Sequence, residues 1–123
     1  MTTYLLASAS VHTTATVCDY LVDRLADDDT VMVLGVVEPG APQRDVGDAI
    51  NVARARLAAA TVWTERREGE PVEEILELAA DIDADELLVG RRSGDPERQS
   101  AGLGSTAAAV AGEAERPVVV VPV

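Results

Sequence analysis

Apolar residues along the chain follow two spacings, short continuous runs and stripes at helical intervals. The continuous runs predict strands, because they are too short for helices. They cover residues 4–9, 30–37, 60–66, 86–89 and 118–121. Between them, apolar residues recur three and four positions apart, as expected of helices with one buried face. The pattern therefore predicts the element order βαβαβαβαβ.

Acidic residues, Pro and Gly mark where the predicted helices begin and end. The acidic run 27–29 ends the first helix, and Asp45 is a plausible N-cap for the second. Pro71 opens the third helix, where its missing N–H costs little. Gly104 precedes an alanine-rich fourth helix that extends to about Glu115.

Strands that alternate with helices predict an α/β fold with a parallel sheet, right-handed crossovers and helices on both faces, which makes three layers. A length of 123 residues fits one domain, 1–123. The hydrophobic fraction of 47% is ample for one core. We expect a three-layer domain with five mostly parallel strands.

The charge distribution is unusual. The formal net charge is −12, and all ten cationic side chains are Arg, with no Lys. A strongly acidic surface suits a solvent of high salt, where the Debye length falls to roughly 3 Å at 1 M and carboxylate repulsion is screened. This composition favours a halophilic cytoplasm. The alternative is an ordinary acidic protein from an Arg-biased genome.

Composition also excludes several classes of function. Negative charge and an aromatic fraction of 2% disfavour nucleic-acid binding. No apolar run approaches the roughly 20 residues that span a membrane, and no basic, apolar leader begins the chain. Cys18 is the only cysteine, so no internal disulfide is expected and the protein is expected to be cytoplasmic.

Few residues have the chemistry of a catalytic or metal site. Cys18 belongs to the buried stripe of the first helix, and His12, the only histidine, precedes that helix in this interpretation. A Cys–His nucleophile needs hydrogen-bond contact, which these positions disfavour. No His or Cys grouping has zinc spacing. We expect neither an enzyme nor a metal site.

The segment after the fourth strand is the best candidate for a ligand site. It contains Gly90, Arg91, Arg92 and Gly94, and then the helix start at 104–106. Free N–H groups at a helix N-terminus attract phosphate, and Arg adds charge-assisted hydrogen bonds. An ordinary surface loop with a serine cap explains the same residues. On the residues alone, both interpretations stay open.

The spacing of these glycines resembles the universal stress protein family. Gly94, nine further residues, Gly104 and Ser105 match the second half of that family's glycine pattern. Residues 30–39, 69–76 and 84–90 are similar to the family as well. The resemblance implies the sheet order 3-2-1-4-5 and ATP or a related nucleotide, with Mg²⁺, between strands one and four. It places adenine near Ala9 and Val36, and the remaining contacts at Val89, Gly90, Arg92, Gly94, Gly104, Ser105 and Thr106.

The sequence departs from that pattern at three places. Ala9 stands where ATP-binding members have an Asp, three residues instead of two separate Gly90 from Gly94, and Asp95 and Glu97 add negative charge. Loss of one charge-assisted contact costs roughly 1.5–3 kcal/mol. We therefore expect a degenerate nucleotide or anion pocket, or one that has lost its ligand.

The resemblance also implies a homodimer through Val118, Val119, Val120 and Val121, because an apolar edge strand attracts a partner strand. A strand covered by the last helix of a monomer is the alternative. The expected function is a non-catalytic, cytoplasmic stress-response module with a signalling partner that the sequence does not identify. Its alternatives are an interaction module without nucleotide and, third, a slow ATPase.

Overall fold

The computed structural model describes residues 1–40, 43–91 and 104–123. Arg92, Gly94, Asp95 and Glu97 therefore lie outside the described residues. The strands are β1 (Thr3–Ala7), β2 (Thr30–Val37), β3 (Thr61–Glu68), β4 (Glu86–Gly90) and β5 (Val118–Val121). The helices are α1 (Val11–Val22), α2 (Gln43–Arg56), α3 (Pro71–Asp81) and α4 (Ser105–Glu113). The predicted order of elements is confirmed.

The five strands form one sheet in the order β3-β2-β1-β4-β5. Each strand pair is parallel, and β1 lies at the centre, with Leu6 beside Val33 of β2 and Leu88 of β4. The predicted sheet order is thus confirmed. The chain winds outward from β1 in one direction and from β4 in the other, so the strand order reverses between these two strands.

Helices cover both faces of the sheet and enclose two apolar clusters. Val17 of α1 and Ile50 of α2 pack with Leu6 on one face. Leu78 of α3 and Val110 of α4 belong to the cluster of Leu5 on the other. Neighbouring residues of β1 therefore enter opposite layers, which explains why the central strands are continuously apolar.

Several element boundaries differ from the predicted ones. β1 ends at Ala7 and not at residue 9, because Ser8 and Ala9 form the turn that leads to Ser10, the N-cap of α1. His12 lies inside α1, and α4 ends at Glu113. α2 begins at Gln43, so Asp45 lies within its first turn and is not the N-cap. None of the described helices is long and apolar enough to cross a membrane.

Candidate functional site

A cavity of about 290 Å³ opens at the carboxyl ends of β1, β2 and β4. Its volume lies just below the range typical of small-molecule sites, roughly 300–1,000 Å³. Its walls come from the strand ends and from the first turns of α2, α3 and α4. The lining residues are Ala7, Ser8, Ala9, Ser10, Leu34, Val36, Glu38, Asp45, Val46, Pro71, Ile75, Val89, Gly90, Thr106 and Ala107.

The position of the cavity follows from the topology. α1 leaves β1 toward one face of the sheet and α4 leaves β4 toward the other, so the two connections diverge and leave a crevice between adjacent strand ends. Ligands of open α/β sheets bind in such a crevice, outside the carboxyl ends of the strands. Ala9, in the turn after β1, and Gly90, at the end of β4, both line this crevice.

The turn after β1 uses its polar groups within the protein. The main-chain N–H and the hydroxyl of Ser8 both donate to the Leu34 carbonyl, at 2.8 and 2.9 Å. The Ala9 amide donates to Thr14 Oγ1 at 3.0 Å, and Ser10 Oγ accepts from the Thr13 amide at 3.2 Å. The side chain that this turn presents at position 9 is a methyl group, which cannot accept a hydrogen bond.

The helix N-termini around the cavity differ in their capping. Ser10 caps α1, and the Glu70 carboxylate accepts from the Val72 and Glu73 amides of α3 at 3.2 and 2.8 Å. The N-cap of α4 is Gly104, which has no side chain to accept from the first-turn amides. Thr106 and Ala107 of that turn line the cavity. The first turn of α4 therefore presents N–H groups that suit an anion.

The main chain links this helix start to β4. The Gly104 amide donates to the Arg91 carbonyl at 2.8 Å, and the Arg91 amide donates to the Val121 carbonyl at 2.8 Å. The Arg91 side chain donates from Nη2 to the main-chain oxygen of Val123 at 3.4 Å and does not line the cavity. Among the described lining residues, none is basic.

Two carboxylates line the same cavity at the wall formed by β2 and α2. Glu38 directly follows β2, and Asp45 lies in the first turn of α2. The glycine pattern of the sequence predicts neither residue as a ligand contact. The available signal was position: Glu38 lies at the carboxyl end of a buried parallel strand, where functional side chains of α/β folds concentrate.

The predicted site residues fall into three groups. Ala9, Val36, Val89, Gly90 and Thr106 line the cavity. Gly104 and Ser105 form the start of α4 beside it without contributing to its lining. Arg92 and Gly94 lie outside the described residues. The structure thus brings five of the predicted residues to one cavity, while their role in binding stays a prediction.

The other chemically reactive side chains are not arranged for catalysis. Cys18 is fully buried, and burial, with the nearby Asp19 carboxylate, raises the pKa of its thiol to about 11. The thiol is therefore protonated at neutral pH and is a poor nucleophile. His12 is exposed on α1. Within the described ranges, no group of three or more His, Cys, Asp or Glu side chains could hold a metal ion.

Solved structures with the same fold extend over nearly the whole chain. The hypothetical protein MJ0577 is 17% identical, with a TM-score of 0.85 and coverage of 99% of this chain and 96% of that one. A universal stress protein family member from Arabidopsis thaliana with AMP bound is 15% identical, with a TM-score of 0.70 and coverage of 99% and 92%. The universal stress protein from Archaeoglobus fulgidus in complex with dAMP is 18% identical, with a TM-score of 0.69 and coverage of 98% and 97%.

At these identities the structural likeness shows the fold alone. No sequence among the curated proteins is significantly similar to the chain. The model of the universal stress protein family matches residues 15–122, which extend from within α1 past the end of β5. By that match, the chain belongs to the universal stress protein family.

Proposed function

We propose that the protein is a cytoplasmic, non-catalytic stress-response module that binds an adenine nucleotide weakly in the cavity between β1 and β4. The observation that carries this proposal is the meeting of an apolar crevice with the uncapped first turn of α4. One end suits a base and the other suits a phosphate. The AMP and dAMP complexes of proteins with this fold agree with such a ligand.

The apolar part of the crevice can accommodate a purine. Leu34 and Val36 of β2, Ile75 of α3 and Val89 of β4 line it. Flat aromatic ligands gain affinity by removing such surfaces from water, at roughly 25 cal/mol per Å² of apolar area. Since the lining is aliphatic, it supplies contact area and little selectivity among bases.

The phosphate would lie at the start of α4. A helix N-terminus carries roughly half a positive charge and several unpaired N–H groups. Gly104 leaves these groups open, and the Thr106 hydroxyl can add one more donor. Mg²⁺ would accompany a polyphosphate, in keeping with the preference of Mg²⁺ for phosphate oxygens.

We expect weak binding and no turnover. The Ala9 side chain supplies no acceptor for a ribose hydroxyl, and no basic side chain lines the described cavity. A slow ATPase is the least favoured alternative, because no basic side chain of the described lining would stabilise the charge that develops on a transferred phosphoryl group.

The second candidate function is an interaction module that has lost its nucleotide. Ala9 and the two carboxylates of the lining favour it, because each lowers affinity for a phosphorylated ligand. In either case we propose a homodimer through β5, whose outer edge has no partner strand in the described sheet. An apolar strand with an unpaired edge attracts a second chain.

A matched pair of charge variants tests nucleotide binding. Thr106→Glu places a carboxylate in the cavity at the helix N-terminus, where an acidic residue favours the helix itself. Ala108→Glu adds the same charge at an exposed position of α4 that does not line the cavity. Thermal unfolding and calorimetric titration with AMP, dAMP and ATP, with and without Mg²⁺, are measured in high salt.

We expect AMP to raise the unfolding midpoint of the wild type by several degrees. At about one hundred times Kd, a ligand stabilises the fold by about 2.7 kcal/mol. Thr106→Glu should lower the affinity at least tenfold and Ala108→Glu should not. Absence of any shift at millimolar nucleotide would leave the interaction module as the better description.

A further inference from the structure

The wall of the cavity formed by β2 and α2 carries two carboxylates that have no partner among the residues the structure describes. Glu38 and Asp45 both line the cavity, and both are exposed to solvent. Neither forms a hydrogen bond or an ion pair with another residue in the described part of the chain. Ion pairing or hydrogen bonding inside the described protein therefore does not explain these two side chains.

Tight packing fixes the position of this acidic wall. A Cβ atom at Gly35 would lie 2.5 Å from Val46 Cγ1 and 2.9 Å from Ile50 Cδ1, so α2 lies directly on β2. The Gly69 amide donates to the Val37 carbonyl at 3.1 Å, which holds the main chain next to Glu38. The main chain that carries both carboxylates is held against the sheet.

The two ends of the cavity thus have opposite preferences. Carboxylates accept hydrogen bonds from hydroxyl and amino groups and repel phosphate. The start of α4 attracts an anion, but with only about half a charge. A ligand with donors at one end and a small negative charge at the other fits both, whereas a polyphosphate is repelled by the acidic wall.

We propose, resting on the proposed function, that Glu38 and Asp45 determine the ligand class of this cavity. They accept hydrogen bonds from hydroxyl or amino donors of a nucleoside with at most one phosphate, in place of the acceptor that position 9 lacks. The ligand is then adenosine or AMP in preference to ATP.

An acidic residue in the first turn of a helix also stabilises that helix. The control must therefore distinguish loss of a ligand contact at Asp45 from loss of helix stability. The test variant is the double substitution Glu38→Gln with Asp45→Asn. The control is Asp48→Asn with Glu73→Gln, which removes the same charge, including one first-turn carboxylate of α3, from exposed positions outside the cavity lining.

Titration calorimetry compares adenosine, AMP and ATP for wild type, test and control, in chelator so that divalent ions do not contribute. We expect the wild type to prefer adenosine and AMP over ATP. The test variant should bind adenosine about tenfold more weakly or worse, as expected when a hydrogen bond to a charged group is lost, and its preference over ATP should shrink or reverse. The control should keep the wild-type order.

Two further ligands identify the donor. If a ribose hydroxyl contacts the wall, 2′-deoxyadenosine loses affinity for the wild type but not for the test variant. If the adenine amino group contacts the wall, inosine loses affinity for the wild type but not for the test variant. A wild type that prefers ATP, or a test variant that keeps the wild-type order, overturns the assignment of Glu38 and Asp45 alone. A wild type that binds none of the three ligands overturns the proposed function with it.

Discussion

The hydroxyls of Ser8 and Ser10 both form hydrogen bonds within the protein, Ser8 donating to the Leu34 carbonyl and Ser10 capping α1. The residue between them, Ala9, has only a methyl group as its side chain and offers no polar atom to a ligand. At the residue scale, the character of the cavity therefore depends on which polar atoms the fold already uses. Glu38 and Asp45 remain available because the described protein does not pair them.

Asp29 is the opposite case, a carboxylate whose two oxygens both accept hydrogen bonds within the protein. It is almost completely buried, and its two oxygens accept from the Ala26 and Thr2 amides, each at 2.8 Å. These hydrogen bonds lower the pKa of the Asp29 carboxyl, and the bond from the Ala26 amide has the larger effect. The side chain thereby closes the turn before β2 and ties it to the start of β1.

Asp29→Asn should destabilise the protein at neutral pH, because an amide offers one acceptor to two N–H donors. A lowered pKa in the folded state gives stability that is present above the unfolded pKa of about 3.9 and is lost as pH falls through the folded value. The difference in urea stability between wild type and variant should therefore be large at pH 7 and shrink below about pH 4. Asp27→Asn, at an exposed neighbour, is the matched control and should destabilise the protein less at pH 7.

At the scale of elements, the contact between α2 and β2 depends on the missing side chain of Gly35. The two elements approach so closely that Val46 and Ile50 occupy the space of a Cβ atom. Since Val46 and Asp45 line the cavity, this contact sets the position of one of its walls. Gly35 thus connects helix packing to the site.

Gly35→Ala should destabilise the fold by about 1–3 kcal/mol, the usual cost of forcing an extra methyl group into a packed core. It should also weaken ligand binding, because α2 has to shift. Gly112→Ala is the matched control, since a Cβ atom there meets nothing within 4 Å. That substitution lies in α4 and should stabilise by up to about 1 kcal/mol. Urea unfolding measures both, and equal effects would contradict this account.

At the scale of the whole molecule, β5 leaves one edge of the sheet open. The amides of Leu87 in β4 and of Arg91 directly after it donate to the Pro117 and Val121 carbonyls at 2.9 and 2.8 Å. Main-chain groups alternate in direction along a strand, so those of Val118 and Val120 point away from β4. A partner chain would pair with these groups.

Val120→Pro should therefore convert a dimer into a folded monomer, because it removes an outward N–H and leaves the bonds to β4 intact. Val120→Thr keeps that N–H and should remain dimeric. Sedimentation velocity in high salt distinguishes the two. A monomeric wild type at micromolar concentration would exclude pairing through this edge.

The acidic surface predicts a second property of the whole molecule. With a net charge of −12, carboxylate repulsion should destabilise the fold at low ionic strength. We expect the midpoint of thermal unfolding to rise between 0.1 and about 1 M KCl, over which the Debye length falls from about 10 to 3 Å.

A charge-reduced variant separates screening from other effects of salt. Neutralising Asp27, Asp48, Glu68 and Glu113 as amides removes four negative charges from exposed positions and changes the net charge from −12 to −8. Its midpoint should depend less on KCl than that of the wild type. Equal salt dependence would mean that screening does not stabilise this protein.

Much of the fold could be predicted from the sequence, because apolar spacing reports which side of each element is buried. The run in β2 is continuous because helices cover both faces, and the stripe of Val17, Cys18 and Leu21 faces the sheet as its period requires. The ends of helices could not be predicted where capping decided them. Asp45 has the chemistry of an N-cap, yet α2 begins before it.

The sequence by itself determined the order of elements, the burial of their apolar faces and the glycines that precede α4, since each depends on neighbouring residues. The tertiary structure decided what surrounds the cavity. Ala9, Asp45 and Thr106 are far apart along the chain and line one crevice only because β1 lies between β2 and β4. Strand order is set by packing across the whole sheet, so the acidic wall of Glu38 and Asp45 became visible only once the fold was known.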